Sequence, residues 1–175
     1  MNTRKIAVTA VSIAIVFVLV SSVAVPIPAT GGFTHAGAIA EIFIALAFGP
    51  IVGLVAAGVG AALADLYLGF GSFAPLTLIA HGALGGLCGY IGWKKGYTNW
   101  VGGWIVGGLA LVIVYFVGEA TVMGFGVAGA TAEVPFNLFQ VALGGLGLLL
   151  LVLVKRAYPQ IESLAEEPSY TEAEV

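Results

Sequence analysis

The amino-acid sequence predicts an all-α integral membrane protein, a bundle of six transmembrane helices with both termini in the cytoplasm. Composition is the first reason, because 60% of the 175 residues are hydrophobic and only 9% are charged, with a mean hydropathy of +1.09. A soluble domain of this length does not need so much apolar surface. The second reason is that all six lysines and arginines form three pairs, Arg4-Lys5, Lys94-Lys95 and Lys155-Arg156.

The three basic pairs predict the topology. Basic residues beside membrane spans stay on the cytoplasmic side, so the chain between successive pairs must cross the bilayer an even number of times. Residues 6–93 have room for four crossings and residues 96–154 for two. The predicted helices cover about residues 6–25, 35–48, 50–68, 73–93, 100–123 and 134–154, in a membrane domain of residues 1–156.

Prolines and glycines delimit the first three helices. Helix one ends at Pro26 and Pro28, in an extended segment that leads into Gly31. The apolar block 35–68 would be roughly 50 Å long as a single helix, too long for a hydrocarbon core of about 30 Å. Gly49-Pro50 therefore divides this block into a short helix two and an ordinary helix three.

The two ends of the chain are predicted to differ in structure. The apolar run in residues 1–25 has the length of a full span, so it is expected to remain as helix one rather than to act as a cleaved signal peptide. Residues 157–175 hold five of the nine acidic residues. They are predicted to form a disordered cytoplasmic tail.

Polar side chains concentrate in the outer half of the predicted bundle, and they come from five helices. They are His35, Glu41, Asp65, His81, Glu119, Glu133, Asn137 and Gln140. A charged group within a span is costly and usually faces a water-filled cavity or a partner. These residues therefore predict a polar pocket that opens to the outside. The inner half is almost entirely Gly, Ala, Val, Ile and Leu.

One face of helix six carries the clearest pocket signal. Glu133, Asn137, Gln140, Gly144 and Gly147 follow the spacing of a single helical face. This face starts polar and ends in glycine, which predicts a pocket whose floor is closed by tight helix contacts. The alternative is that the amides only bind neighbouring backbones.

The other polar residues each have a structural alternative. Asp65 either contacts a ligand or caps the following segment, and His81 either contacts a ligand or forms an interhelical hydrogen bond. Glu41 either faces the lumen or is neutral and paired with His81. Glu119 is either a pocket residue or solvated. For Glu133 the sequence favours a purely structural role beside the helix dipole.

Aromatic and small residues add two further predictions. A flat heterocycle can stack on aromatic rings near the pocket, and the candidates are Phe33, Tyr67, Phe70, Phe73 and Tyr115. Small residues at helical spacing on helices three and four, among them Gly53, Gly60, Gly85 and Gly89, predict close helix contacts. On helix one, Ala10 and Ala14 either dock a partner membrane protein or pack within the chain.

Motifs for catalysis, energy conversion, metals and nucleic-acid binding are missing from the sequence. No cofactor or metal is expected, and uptake of a solute would need an energising partner. Two rival classes remain. One is a self-sufficient channel or proton-coupled carrier with a relay of Glu41, His81 and Glu119. The other is an intramembrane enzyme that uses Asp65, His81 and Glu119.

Five motifs in order give a family resemblance. They are Ile27-Pro28-Ala29-Thr30-Gly31-Gly32-Phe33, Phe48-Gly49-Pro50-Ile51-Val52-Gly53, Ala62-Leu63-Ala64-Asp65-Leu66, Ala74-Pro75-Leu76-Thr77-Leu78-Ile79 and Glu133-Val134-Pro135-Phe136-Asn137-Leu138-Phe139-Gln140. Together they resemble the substrate-binding S components of energy-coupling factor (ECF) vitamin transporters, in the riboflavin-type and hydroxymethylpyrimidine-type branch. The chain departs from the family pattern at Gly37-Ala38 and His81-Gly82, where that pattern has Gly-Asp and Lys-Gly.

The resemblance implies a binding subunit in the plasma membrane of a prokaryote. It would hold a water-soluble vitamin or precursor, such as hydroxymethylpyrimidine, pyridoxine or riboflavin, under a lid formed by residues 31–35. The substrate-binding residues expected on this basis and from the pocket argument are Phe33, His35, Glu41, Asp65, His81, Tyr115, Glu119, Asn137 and Gln140. Ala10 and Ala14 match the family's docking motif for a membrane T component, and two ATPases would supply the energy.

Overall fold

The computed structural model describes residues 2–28 and 30–166. In this part of the chain the structure is a helical bundle with one β-hairpin. The elements are α1 Thr3–Ser22, β1 Ala24–Ile27, β2 Gly32–His35, α2 Ala38–Phe48, α3 Pro50–Leu68, α4 Ala74–Gly92, α5 Tyr97–Thr121, α6 Gly126–Ala157 and a 3-10 helix Ile161–Ser163. The division of the long apolar block at Gly49-Pro50 occurs as predicted.

Five of the helices, α1 and α3 to α6, are long and apolar enough to cross a membrane. The exception is α2, which has 11 residues and is therefore about 16 Å long at 1.5 Å per residue. It packs inside the bundle against α3, α4 and α6. Most of its side chains are buried. The burial explains why this helix is hydrophobic although it is too short to span a bilayer alone.

A β-hairpin joins α1 to α2, where the sequence predicts a longer helix one and an early start of helix two. Ala24 pairs with His35 and Ile27 with Gly32 in an antiparallel register. Helix α1 therefore ends at Ser22, and His35 lies in β2 instead of opening α2. The turn needs Gly31, whose φ of +72° is in the left-handed region, and its N–H donates to the Ile27 carbonyl oxygen over 3.0 Å.

The last two helices are longer than predicted. Helix α5 starts three residues earlier, at Tyr97, and ends at Thr121. Helix α6 has 32 residues and starts at Gly126, with Pro135 inside it. Because proline is favoured in the first helical turn, the sequence predicts that helix six begins close to Pro135. In the structure the helix continues through Pro135.

The bundle has two different ends. The hairpin end carries the β-hairpin, the end of α3, the starts of α4 and α6, and the end of α5. The basic end carries the start of α1, the ends of α4 and α6, and the start of α5, so all six lysines and arginines lie there. At this end Lys155 lies over the Trp100 ring, with its Nζ 5.1 Å from the ring centroid.

Glycines bring α3 and α4 into backbone contact, as their spacing predicts. A methyl group added to Gly53 would lie 2.7 Å from the Gly85 carbonyl oxygen, and one added to Gly89 would lie 2.8 Å from Pro50 Cα. Gly60 has the same role towards α1, because a methyl group there would lie 2.7 Å from Val16 Cβ. The three helices therefore pack more closely than larger side chains allow.

The first part of the predicted acidic tail packs against the basic end. Ile161 and Ala165 are buried, Lys155 Nζ lies 2.9 Å from Glu162 Oε1, and Lys94 forms an ion pair with Glu166. Residues 158–166 are thus ordered by apolar contacts and opposite charges. The rest of the tail predicted to be disordered, residues 167–175, lies outside the described residues.

Candidate functional site

A small polar cavity lies at the hairpin end of the bundle. Side chains from β2, α3, the start of α4, α5 and α6 line it: Phe33, His35, Asp65, Phe73, Thr77, Tyr115, Glu133, Asn137 and Gln140. Its volume is about 10 Å³, enough for about one water molecule. Six of the nine predicted substrate-binding residues line this cavity, and the other three, Glu41, His81 and Glu119, are fully buried in the same half of the bundle.

The predicted face of α6 forms one wall. Its five residues Glu133, Asn137, Gln140, Gly144 and Gly147 are all buried. Gln140 Nε2 donates to Asn137 Oδ1 over 3.0 Å, so the two amides hold each other in place. Below them Gly144 faces α2, because a methyl group added to it would lie 3.2 Å from Ile42 Cγ1 and 3.4 Å from Ala38 Cβ. The polar members of this face line the cavity, and the two glycines lie further along the same buried face.

The β-hairpin forms the roof of the cavity. The Phe33 and Phe70 rings pack with their centroids 4.6 Å apart, and Thr34 Oγ1 donates to the Phe136 carbonyl oxygen over 3.2 Å. The Thr30 hydroxyl donates to Glu133 Oε1. A few side-chain contacts therefore attach the hairpin to α3 and α6.

Thr77 also lines the cavity, although the sequence did not single it out. Glu133 and Phe73 line it as well. The sequence placed Glu133 on the pocket face of helix six and named Phe73 as a stacking candidate, but neither was among the nine expected substrate-binding residues. Glu133 lies in the third turn of α6 and not at its start, so the helix-dipole argument does not apply to it. The signal that identifies it is its position four residues before Asn137, on the same face. Thr77 has the same relation to His81 on α4.

A buried pair lies behind the cavity. His81 Nδ1 is 2.8 Å from Glu41 Oε2, and both side chains are 0% exposed, which confirms the predicted alternative of a Glu41–His81 pair. The His81 ring centroid is 5.0 Å from that of His35 and 5.9 Å from that of Tyr115. Since His35 and Tyr115 line the cavity, the pair supports its wall from behind.

His35 presents a neutral imidazole to the cavity. Burial lowers the pKa of His35 well below its usual value of 6.5, and His81 lowers it further. The Gly37 N–H donates to His35 Nδ1 over 3.2 Å. A nitrogen that accepts a hydrogen bond carries no proton, so the ring proton of the neutral form is on Nε2.

Two carboxyl groups on α3 and α5 are buried in this half. The Asp65 side chain lines the cavity, while its carbonyl oxygen accepts from the Phe70 N–H over 2.8 Å, so the main chain and not the carboxylate caps α3. Glu119 is 0% exposed, which contradicts the alternative of a solvated side chain. Among the residues described, neither of its carboxylate oxygens has a hydrogen-bond partner.

The aromatic candidates separate into two groups. Phe33, Phe73 and Tyr115 line the cavity, and the Tyr115 hydroxyl lies 2.9 Å from Thr77 Oγ1. Tyr67 is 73% exposed and packs edge-on against Phe17 of α1. Tyr67 is therefore not placed to stack on a molecule in the cavity.

The predicted docking residues lie on an open face of α1. Ala10 and Ala14 are both exposed, in a shallow apolar groove with Ile13, Phe17 and Leu63. The residues of α1 that are buried against the bundle are Thr9, Ser12, Val16 and Val20. Packing within the chain therefore does not account for the two alanines.

The family model described as "ECF-type riboflavin transporter, S component" matches residues 1–157. The chain belongs to this family. It is the substrate-binding S component of an ECF transporter and a multi-pass membrane protein, and the family implies a membrane T component, ATPases and a vitamin-like substrate. Within the described residues no group of three or more His, Cys, Asp or Glu side chains is placed to hold a metal ion.

Individual proteins are also similar to the chain. The chain is 38% identical over 148 residues to an uncharacterized protein of Pyrococcus woesei, covering 80% of this chain and 95% of the relative. It is 30% identical over 165 residues to the thiamine precursor transporter HmpT of Lactococcus lactis subsp. cremoris (strain MG1363), covering 92% and 89% of the two chains. A solved S component of a bacterial ECF transporter has the same fold, with a TM-score of 0.67, 18% identity, and coverage of 91% of this chain and 98% of that one.

Proposed function

We propose that this S component captures a water-soluble vitamin or vitamin precursor from outside the cell, in the cavity under the β-hairpin. The observation that carries this proposal is the cavity itself, which gathers polar and aromatic side chains from five elements at one end of a family member. Hydroxymethylpyrimidine, pyridoxine and riboflavin are the first candidates. The name of the family favours riboflavin, and that of the Lactococcus relative favours a thiamine precursor.

The direction of capture follows from the positions of the charges. All six lysines and arginines are at the basic end, and positively charged residues beside spans stay in the cytoplasm. The basic end and both termini are then cytoplasmic, and the hairpin end faces the outside of a prokaryotic plasma membrane. A cavity at the outer end is accessible to nutrients and is closed towards the cytoplasm by the apolar half of the bundle.

Ligand entry requires the hairpin to move. A cavity of about 10 Å³ is far smaller than the 300 to 1,000 Å³ typical of small-molecule pockets. The contacts that hold the roof are the Phe33–Phe70 ring pair and the hydrogen bonds of Thr30 and Thr34 to α6. We therefore assign strands β1 and β2 as a lid that opens for entry and closes over the ligand.

The energy for uptake is assigned to partner proteins. The open face of α1 with Ala10 and Ala14 is suited to close contact with a transmembrane helix of the T component, and two ATPases bound to that component would drive transport. A self-sufficient proton relay would need polar groups that continue towards the basic end. Below the Glu41–His81 pair, the described core holds apolar residues such as Leu46, Leu84 and Leu151.

Ligand identification tests the proposal. The protein is purified in mild detergent without added ligand and denatured, and the released small molecules are identified by mass spectrometry. A thermal-shift screen of B vitamins and their precursors runs in parallel. We expect one of them to raise the melting temperature, and Asn137→Ala or His81→Ala to abolish the increase.

The matched control is Leu138→Ala, because Leu138 follows Asn137 on α6 and is exposed. This variant should keep the full ligand-induced shift. If no compound is released and none of the panel shifts the melting temperature of the unmodified protein, capture of a vitamin is refuted.

A further inference from the structure

Apart from the two histidines, the side chains near the cavity that can carry a charge at neutral pH are all acidic. Glu41, Asp65, Glu119 and Glu133 are all buried in the hairpin half, whereas every lysine and arginine lies at the basic end. Of the two histidines, His35 has a pKa well below its usual value because of burial and is neutral at pH 7. A bound anion would therefore meet carboxyl groups and no lysine or arginine.

At the cavity, two buried oxygens have no hydrogen-bond partner among the residues described, Asp65 Oδ2 and Gln140 Oε1. Glu41 Oε1, the two Glu119 oxygens and His81 Nε2 behind the cavity are also without partners. Unpaired buried polar groups are costly and uncommon in folded proteins.

The donors near the cavity are neutral and partly occupied. One N–H of Gln140 Nε2 donates to Asn137 Oδ1, and one of the Thr77 and Tyr115 hydroxyls donates to the other. The Asn137 amide, the second Gln140 N–H, the His35 imidazole and one hydroxyl remain as donors. None of these donors is a lysine or arginine, so the site offers an anion no strongly cationic partner.

On the basis of the proposed function, we propose a rule for the charge and hydrogen bonding of the substrate. The site selects an uncharged or positively charged nitrogen heterocycle that donates hydrogen bonds through amino or hydroxyl groups, and it rejects phosphorylated or carboxylated forms of the same compound. A donor-rich ligand satisfies the free oxygens of Asp65 and Gln140. An anionic group would be desolvated beside Asp65 and Glu133 without a compensating cation.

The experiment measures the dissociation constants of matched compounds by titration calorimetry on the full chain in detergent. The pairs are hydroxymethylpyrimidine and its monophosphate, riboflavin and riboflavin 5′-phosphate, and pyridoxine and 4-pyridoxic acid. For whichever parent compound binds, we expect the anionic member to bind about 100-fold more weakly or worse. The small molecule released from the purified protein should likewise carry no phosphate or carboxylate.

Each result supports or overturns the inference. An anionic member that binds within about tenfold of its parent, or a released ligand with a phosphate or carboxylate, overturns it and leaves the capture of a vitamin intact. If none of the six compounds binds and nothing is released, the proposed function fails, and the inference fails with it.

Three variants test whether the cavity residues cause the selectivity against anions. Asp65→Asn and Glu133→Gln each remove a carboxyl group and keep the shape of the side chain. Either variant should therefore reduce the ratio of the anion's dissociation constant to that of the parent compound by about tenfold. Glu166→Gln removes a carboxylate at the basic end and should leave the ratio unchanged. An equal effect of all three variants would show that overall charge, and not the site, sets the preference. If the two cavity variants do not fold, the ratios of the unmodified protein decide the question alone.

Discussion

The half of the bundle under the β-hairpin and the half that ends in the basic pairs are built from the same helices, but they bury different side chains. The hairpin half buries carboxyl, amide and imidazole groups around a cavity. The basic half buries mainly apolar side chains, glycine and Cys88, and its charged groups are partly or fully exposed.

This difference separates the residues that are proposed to bind a ligand from the residues that pack the helices together. Burying a polar group costs free energy unless it is paired, so the stability of the bundle does not account for carboxyl oxygens without partners, such as those of Asp65 and Glu119. The basic half shows that the same helices can pack almost entirely with apolar side chains and glycine. The polar residues of the hairpin half are therefore expected to be retained for ligand binding.

The largest expected effect comes from breaking the buried pair. Glu41→Ala leaves His81 buried without its 2.8 Å partner and should lower the free energy of unfolding by about 3 to 5 kcal/mol. Urea or thermal unfolding in detergent measures the loss. The control is Glu41→Gln, which keeps a hydrogen-bond acceptor and should lose clearly less. If the alanine variant were as stable as the unmodified protein, the pair would have no structural role.

The next effect tests the glycine contacts of the other half. Gly53→Ala would place a methyl group 2.7 Å from the Gly85 carbonyl oxygen, and the helices must separate to admit it. We expect a loss of about 1 to 3 kcal/mol in the same unfolding assay. Gly102→Ala is the control, because the nearest atom to a methyl group there is 3.8 Å away. Equal stability of the two variants would disprove close α3–α4 packing.

A smaller effect concerns pH and the hairpin. The pKa of His35 is lowered well below 6.5 in the folded protein by burial and by His81, so the unfolded chain binds a proton more readily. The free energy of unfolding should therefore decrease as pH falls below about 6.5, by up to roughly 1.4 kcal/mol per pH unit, and be fully recovered above it. Melting temperatures between pH 5 and 8 measure this, and His35→Gln should flatten the curve. An unchanged slope in that variant would remove His35 as the cause.

Periodicity explains which parts of the site were predictable from the sequence. The wall of α6 follows from spacing alone, because Asn137 and Gln140 must share a face of any helix that contains both. The Gly49-Pro50 break is equally local. The close packing of α3 and α4 follows from their small residues, since few other sequences permit such contacts.

The hairpin and the edges of the site depend on contacts between distant residues. Strands β1 and β2 have four residues each, and neither Pro26 nor Gly32 favours a strand. The hairpin is held instead by the pairing of the two strands and by the hydrogen bond from the Thr30 hydroxyl to Glu133. For the same reason the position of Tyr67, exposed beside Phe17, depends on how α1 packs on α3, which local sequence does not determine.

The smallest expected effect is at the exposed ion pair of the basic end. Lys94 and Glu166 are 47% and 38% exposed, and solvent-exposed pairs contribute about 0 to 1 kcal/mol. Glu166→Gln should therefore lower the free energy of unfolding by less than about 1 kcal/mol, and the difference should vanish in high salt because exposed charges are screened. Glu166 is the better partner to change, because Lys94 Nζ also lies 4.9 Å from the Trp93 ring centroid. A loss as large as that of Glu41→Ala would mean that residues 158–166 stabilise the bundle as much as its buried pair does, and the contrast between the two halves would then not hold.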